Sequence, residues 1–101
     1  MAYFIVIGLD HPPHSMALRD AHRTAHRRHV LSRDDDIRLA GAVMDDDGNQ
    51  AGSIYVFEAQ TADEVRAWLA QEPFVKEGIY RDLHVLRWNP VLNRLPAADW
   101  R

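Results

Sequence analysis

The chain has 101 residues, 47% of them hydrophobic and 27% charged, with a formal net charge of −3. That describes one small globular domain with a thin core, and the balance argues against a general nucleic-acid or membrane binder. There is no cysteine, which excludes disulfides, thiolate metal sites and cysteine nucleophiles.

The apolar opening, Met1 to Ile7, has no basic n-region and meets charge at Asp10. A first strand over residues 3–9 is therefore expected rather than a signal peptide. No apolar run approaches the roughly 20 residues of a bilayer span, so the expected location is the cytoplasm. Pro12-Pro13 breaks the strand, and Ser15 is placed to cap a helix from Met16 to about Leu31. Leu18, Ala21, His22, Ala25, His26, His29 and Val30 recur at three- and four-residue steps and define its expected inner face. Arg19, Arg23, Arg27 and Arg28 then fall outside. A second strand is expected over residues 37–44, an Asp45–Asn49 turn, and a third strand over residues 52–59. Thr61 and Glu64 fit a capping box opening a helix with Val65, Trp68 and Leu69 inward. Pro73 ends that helix. A short helical turn over residues 74–78 leads into a last strand from Ile79 to Trp88.

The order β-α-β-β-α-β predicts a ferredoxin-like α+β fold, a four-stranded antiparallel sheet with both helices on one face. The domain is expected to span residues 1–90. Residues 91–101 form a tail that packs its Val91, Leu92, Leu95 and Trp100 on the domain or on a partner. Tyr3 or Phe4, Tyr55 or Phe57, and Trp88 are expected to supply the second face of the sheet. A second copy of the chain, related by a two-fold axis, is the simplest cover for it.

Several segments together resemble the YCII family (YciI-like proteins). They are Leu18-Arg19…Arg23-Thr24-Ala25-His26, Arg38-Leu39-Ala40-Gly41 followed by Asp45-Asp46-Asp47-Gly48, Gly52-Ser53, Ala67-Trp68-Leu69-Ala70-Gln71-Glu72-Pro73-Phe74…Gly78-Ile79-Tyr80, and Val85-Leu86-Arg87-Trp88. The resemblance spans about residues 3–90. It implies a dimeric ferredoxin-like α/β barrel with a cleft in which a histidine and an aspartate form a proposed catalytic pair. It also implies a serine, here Ser53, near that pair, and chemistry of the dehydrochlorinase kind in one relative. Two positions depart from the family pattern. Glu72 stands where the family has aspartate, which moves the carboxylate by on the order of an ångström, and Ala42 stands where it has proline.

His26 is the candidate for acid–base work, because imidazole exchanges protons near neutral pH. Glu72 would orient the ring, Arg23 would hold an anionic group, and Ser53 would hydrogen-bond the substrate. The alternative for the His26–Glu72 pair is a structural tie between the two helices. His22, His26 and His29 share a helix face at metal-ligand spacing, but the neighbouring arginines disfavour a cation, and a cleft-lining stripe is expected instead. Arg19-Asp20-Ala21-His22 fits the Arg-x-x-His pattern as well, so His22 is the alternative histidine and a candidate substrate contact. No phosphate loop or dinucleotide fingerprint occurs, and no cofactor or metal is expected. Three functions remain open: an acid–base lyase or isomerase acting on a small anionic or phenolic ring, a non-catalytic ligand-binding or accessory module using the same cleft, and, on analogy of fold alone, an oxygenase-like activity without cofactor.

Overall fold

β-Branched and aromatic residues at alternating positions build the sheet, and proline and glycine punctuate it. The computed structural model describes residues 1–96. It orders the elements as β1 (Ala2–Asp10), α1 (Met16–Leu31), β2 (Ile37–Met44), β3 (Gln50–Ala59), α2 (Ala62–Ala70), α3 (Pro73–Lys76) and β4 (Tyr80–Trp88). The strands form one sheet in the order β2-β3-β1-β4, antiparallel throughout. This is the ferredoxin-like α+β fold, with the split βαβ connectivity that puts both long helices on one face. Val30 of α1 and Val65, Trp68 and Leu69 of α2 join Phe4, Val6, Tyr55 and Phe57 in one core. The Thr61 hydroxyl caps α2 by accepting from the Glu64 amide at 3.3 Å.

The inner face of α1 differs from the expected one. Arg19 is buried, while Leu18, Ala21 and Ala25 are exposed. The inward positions are Arg19, Arg23, His26 and Val30, spaced by four, three and four residues. The physical reason is Asp10, which occupies the inner face at the end of β1 and is itself buried. Arg19 neutralises it with two hydrogen bonds, Nε to Oδ2 at 2.7 Å and Nη2 to Oδ1 at 2.8 Å. A helix can turn arginine inward when a buried carboxylate waits for it. Ser15 sits at the N-cap of α1, but its hydroxyl does not cap the helix. It reaches the Ile79 carbonyl instead, at 3.4 Å, and the Met16 amide donates to His14 Nδ1 at 3.3 Å.

Tyr55 and Phe57 also differ from expectation. Both lie in the core under the helices, as does Phe4, and only Tyr3 and Trp88 of that set belong to the open face. One cross-strand row there runs Leu39, Val56, Ile5, Leu86 across all four strands. Of the tail, Val91, Leu92 and Leu95 are exposed, and Trp100 lies outside the described residues.

Replacing Arg19 with methionine leaves the Asp10 carboxylate buried and unpaired. Urea unfolding should show Arg19→Met to be destabilised by about 3–5 kcal/mol. Adding Asp10→Leu should recover much of that loss, because an apolar pair tolerates burial that a lone charge does not. A single-variant cost below about 1 kcal/mol, the range of exposed pairs, would contradict the assignment.

Candidate functional site

The site begins at the break between α2 and α3. Pro73 cannot continue α2 and disfavours helical backbone in the residue before it, so Glu72 is extended (φ −73°, ψ 124°) and becomes the N-cap residue of α3. The turn drives the Glu72 side chain inward, where it is fully buried. His26 of α1 meets it, with Nδ1 2.6 Å from Oε1. Phe74, two residues on, stacks on the same imidazole with centroids 3.9 Å apart and planes 7° apart. One short segment therefore holds the ring by its edge and by its face. With the Nδ1 hydrogen donated to the carboxylate, the lone pair sits on Nε2.

A cavity of about 400 Å³ opens beside this ring. Arg19, Arg23, His26, Arg27 and Val30 form its α1 wall, and Gln50, Ser53 and Tyr55 its β3 wall. Its outer rim is Ala40, Gly41 and Ala42 of β2. In the sheet register Ala40 lies beside Tyr55 and Ala42 beside Ser53. These small side chains leave the volume unfilled. Arg23 reaches across one side to Gln50 Oε1 at 3.2 Å and to Asp20 at 2.8 Å. His22 is not in this wall; its Nε2 lies 3.6 Å from Glu77 Oε2 at the surface. His29 is also committed elsewhere, donating from Nε2 to the Trp68 carbonyl at 2.9 Å and stacking on that indole. Of the residues named from sequence, the structure thus brings His26 and Glu72 together, sets Arg23 and Ser53 in the same cavity, and leaves His22 outside it.

Arg19, Asp10, Tyr55 and Tyr80 were not among the candidates. Arg19 donates to Ser53 Oγ at 3.1 Å as well as to Asp10, and its guanidinium lies over the rings of Phe74 and Tyr80, at 5.1 and 5.8 Å. Burial opposes the Arg19 charge, but the Asp10 hydrogen bond and the surrounding field outweigh it and raise the pKa above its ordinary value. The Tyr80 hydroxyl donates to Ser53 Oγ at 2.8 Å. Tyr80 comes this close to β1 because residue 8 is glycine, where a Cβ would stand 2.7 Å from the Tyr80 ring. The Tyr55 hydroxyl is buried beside that of Tyr80, with no partner within ordinary hydrogen-bond distance. Burial, and then the neighbouring Tyr80 and Glu72, push its pKa well above 10. Burial raises Tyr80 too, against the opposing pull of its bond to Ser53. The available sequence signal was parity: Asp10 shares the inner face with Phe4 and Val6, and Arg19 lies four residues before Arg23 and seven before His26.

Fold and site together define a ferredoxin-like α+β domain whose histidine–carboxylate pair stands in the wall of a cleft. The chain belongs to the YCII family: the YCII-related domain matches residues 1–89. Among solved structures it is similar to 5-chloro-2-hydroxyhydroquinone dehydrochlorinase (TftG) from Burkholderia phenoliruptrix AC1100, in complex with 2,5-dihydroxybenzoquinone. That match has 27% identity and a TM-score of 0.78 over 86% of this chain and 93% of the other. It is also similar in fold to Rv0793 from Mycobacterium tuberculosis, at 16% identity and a TM-score of 0.50 over 91% and 96% of the two chains. No curated protein matches the chain. Among the described residues, no helix is long and apolar enough to cross a membrane.

The two buried phenols set an alkaline limit. A phenol whose folded pKa exceeds its unfolded value of about 10 contributes stability that is complete below that value. It is lost as pH rises above it, because unfolding then releases the proton. The urea midpoint should fall steadily above about pH 10. Tyr55→Phe should make that fall shallower. An identical alkaline slope in wild type and variant would refute the shift at Tyr55.

Proposed function

We propose that this protein is an acid–base lyase or isomerase acting on a small anionic or phenolic ring, with His26 as the proton carrier. The observation that carries the reading is the contact of His26 Nδ1 with the buried Glu72 carboxylate at 2.6 Å, in the wall of the cavity. The similar dehydrochlorinase, crystallised with a dihydroxyquinone, supports the reaction class and the size of the ligand. In this scheme His26 Nε2 takes a proton from the ring or from one of its hydroxyls. His26 returns that proton to another ring atom, completing an isomerisation to the keto form; where that atom carries a leaving group, removal of a second hydroxyl proton sends its electron pair through the ring and expels the leaving group as an anion, completing an elimination. Glu72 fixes the tautomer and stabilises the imidazolium. Arg23 exchanges its Gln50 contact for an anionic group of the substrate. His22, on the surface, has no part in this scheme.

Chloride release from 5-chloro-2-hydroxyhydroquinone, followed in wild type and His26→Gln, tests the reading. The variant keeps a donor for Glu72 but has no base, so turnover should fall about 10²–10⁴-fold, with binding of 2,5-dihydroxybenzoquinone little changed. Equal turnover in the two proteins would sink the mechanism. Quinone binding without turnover would instead favour a ligand-binding module.

We also propose that the protein is a homodimer closed across the open sheet face. The row Leu39, Val56, Ile5, Leu86 is flanked by Tyr3 and Trp88, and Leu86 is 51% exposed. Leu39 at the other end is also exposed, while Ile5 is half-buried and Val56 buried between them; apolar side chains left in water at both ends are costly, and a two-fold axis buries them. Sedimentation equilibrium should give twice the chain mass. Leu86→Asp, placing a charge in that row, should give a monomer. A wild-type monomer at micromolar concentration would contradict the dimer.

A further inference from the structure

Strand β2 is an edge of the sheet, and the middle of it is unprotected. Sheet edges are ordinarily blunted by lysine, proline or inward charge, because their free N–H and C=O groups recruit other strands. Leu39-Ala40-Gly41-Ala42-Val43 has none of these, and Arg38 to Ala42 are all exposed. The bulge at Arg38 lies outside this run. The directions of the backbone groups follow from the turn. The Asp45 amide donates across to the Asn49 carbonyl at 2.9 Å, and the groups of successive strand residues point to opposite edges. The extra residue of the bulge near the turn lies on β3, between Gly52 and Gln50, so the alternation along β2 is unbroken. Val43 and Gly41 therefore face β3, and Ala42 and Ala40 turn their N–H and C=O to the open edge. The run is also self-complementary. A two-fold axis through Gly41 sets Ala40 against Ala42 of a second copy, and Ala42 against Ala40, so that the outward groups meet in hydrogen-bonded pairs. Gly41 meets Gly41 in a non-hydrogen-bonded pair, where side chains come closest and glycine has none. Leu39 meets Val43, and Arg38 meets Met44 beside the acidic turn of the second copy, Asp45 to Asp47. Moving the axis to Ala42 would set Leu39 against Asp45. Moving it to Ala40 would bring that turn against the Asp34–Asp36 loop, acid against acid.

We propose that β2 is a second interaction surface of this protein, and that its partner is the same strand of another copy, paired antiparallel about Gly41. The contact lies in the plane of the sheet, so it is separate from the open-face dimer and does not depend on it. It also reaches the cavity. Ala40, Gly41 and Ala42 form the outer rim, and Ala40 and Ala42 share the inner face with Tyr55 and Ser53. In the pair, the second copy's Ala42 and Ala40 continue that face about 4.8 Å further out, and each cavity gains part of its rim from the other chain. The contact is narrow, because its side chains are small, and interfaces of low buried area are weak and transient. At micromolar concentration it leaves the mass of the protein unchanged, and at submillimolar concentration it joins open-face dimers in pairs.

The chain has no cysteine, so a single introduced thiol reports the contact. Gly41→Cys is the probe. A Cβ at that position meets nothing within 4 Å, and the two Cα atoms of a non-hydrogen-bonded pair, about 4.5 Å apart, are within disulfide range. Met44→Cys is the control, because residue 44 is exposed on the same strand and the two-fold axis places it several residues from its own copy. Oxidised at submillimolar concentration, Gly41→Cys should form a disulfide-linked dimer about tenfold faster than Met44→Cys. The cross-link should survive Leu86→Asp, which opens the sheet-face dimer. It should be lost with Ala42→Pro, which deletes an outward N–H and leaves the bonds to β3 in place. Circular dichroism should show Ala42→Pro to be folded; if it is not, the comparison of positions 41 and 44 in the Leu86→Asp background decides alone. Equal cross-linking at the two positions would mean random collision and would overturn the pairing. A Gly41→Cys cross-link that disappears in Leu86→Asp and persists in Ala42→Pro would overturn it as well, by assigning the contact to the open face.

Discussion

The geometry of the molecule depends on one buried guanidinium. Arg19 leaves α1, closes a two-pronged bond on Asp10 at the end of β1, donates to Ser53 on β3, and lies over Phe74 of α3 and Tyr80 of β4. Five elements are thereby referenced to a single planar group. A fork of fixed angle needs both carboxylate oxygens at set positions, so the rotation of α1 about its axis follows from it. Once residue 19 faces inward, residues 23, 26 and 30 face inward too. The direction of His26 is thus a consequence of a bond made two turns earlier. A lysine would neutralise Asp10 as a point charge but would not specify the rotation.

The second constraint is the Glu72-Pro73-Phe74 junction. Proline ends one helix and begins the next, and the residues on either side of it reach the same imidazole from two directions. A ring held by both a carboxylate and a stacked phenyl has its tautomer and orientation settled before any ligand arrives. That is the condition under which proton transfer avoids a reorganisation cost. The glutamate, one methylene longer than the aspartate of the family pattern, still closes on the ring at 2.6 Å. The extra length is absorbed within the buried junction.

Much of this could be read from the sequence because local chemistry was unambiguous. The Asp-Gly turn, the Thr61 cap and the Glu-Pro break each mark an element end, and the observed elements begin and end close to those marks. The order of short motifs placed His26 and Glu72, 46 residues apart, in one pattern. What resisted reading was the interior of α1. Hydrophobic periodicity assumes that the inside is apolar, and here Val30 is the one large apolar side chain α1 contributes to the buried core. The faces of the sheet were ambiguous for the opposite reason: β1 and β3 are apolar on both, so Tyr3 and Phe4, or Tyr55 and Phe57, could not be sorted by polarity. Asp10, Tyr55 and Tyr80 look like ordinary strand residues until a long-range partner is known.

A buried polar atom without a partner costs about 1–3 kcal/mol, and there are three such side-chain atoms among the described residues: Tyr55 Oη, Trp68 Nε1 and Glu72 Oε2. They do not carry equal meaning. Trp68 sits in the core, packed edge-on against Tyr55 and Phe57, and is not part of the wall of the cavity beside His26. Tyr55 lines the cavity, and Glu72 grips the histidine that also lines it. Around the same space, β2 places alanines where larger side chains would fill the volume and restore packing. Unfilled volume, a buried phenol without a close partner and a buried carboxylate with one partner each destabilise a small domain that has little stability to spare. Their coincidence at one cleft, beside a core that is otherwise apolar and packed, is better explained by a ligand that satisfies them together than by three separate faults of packing.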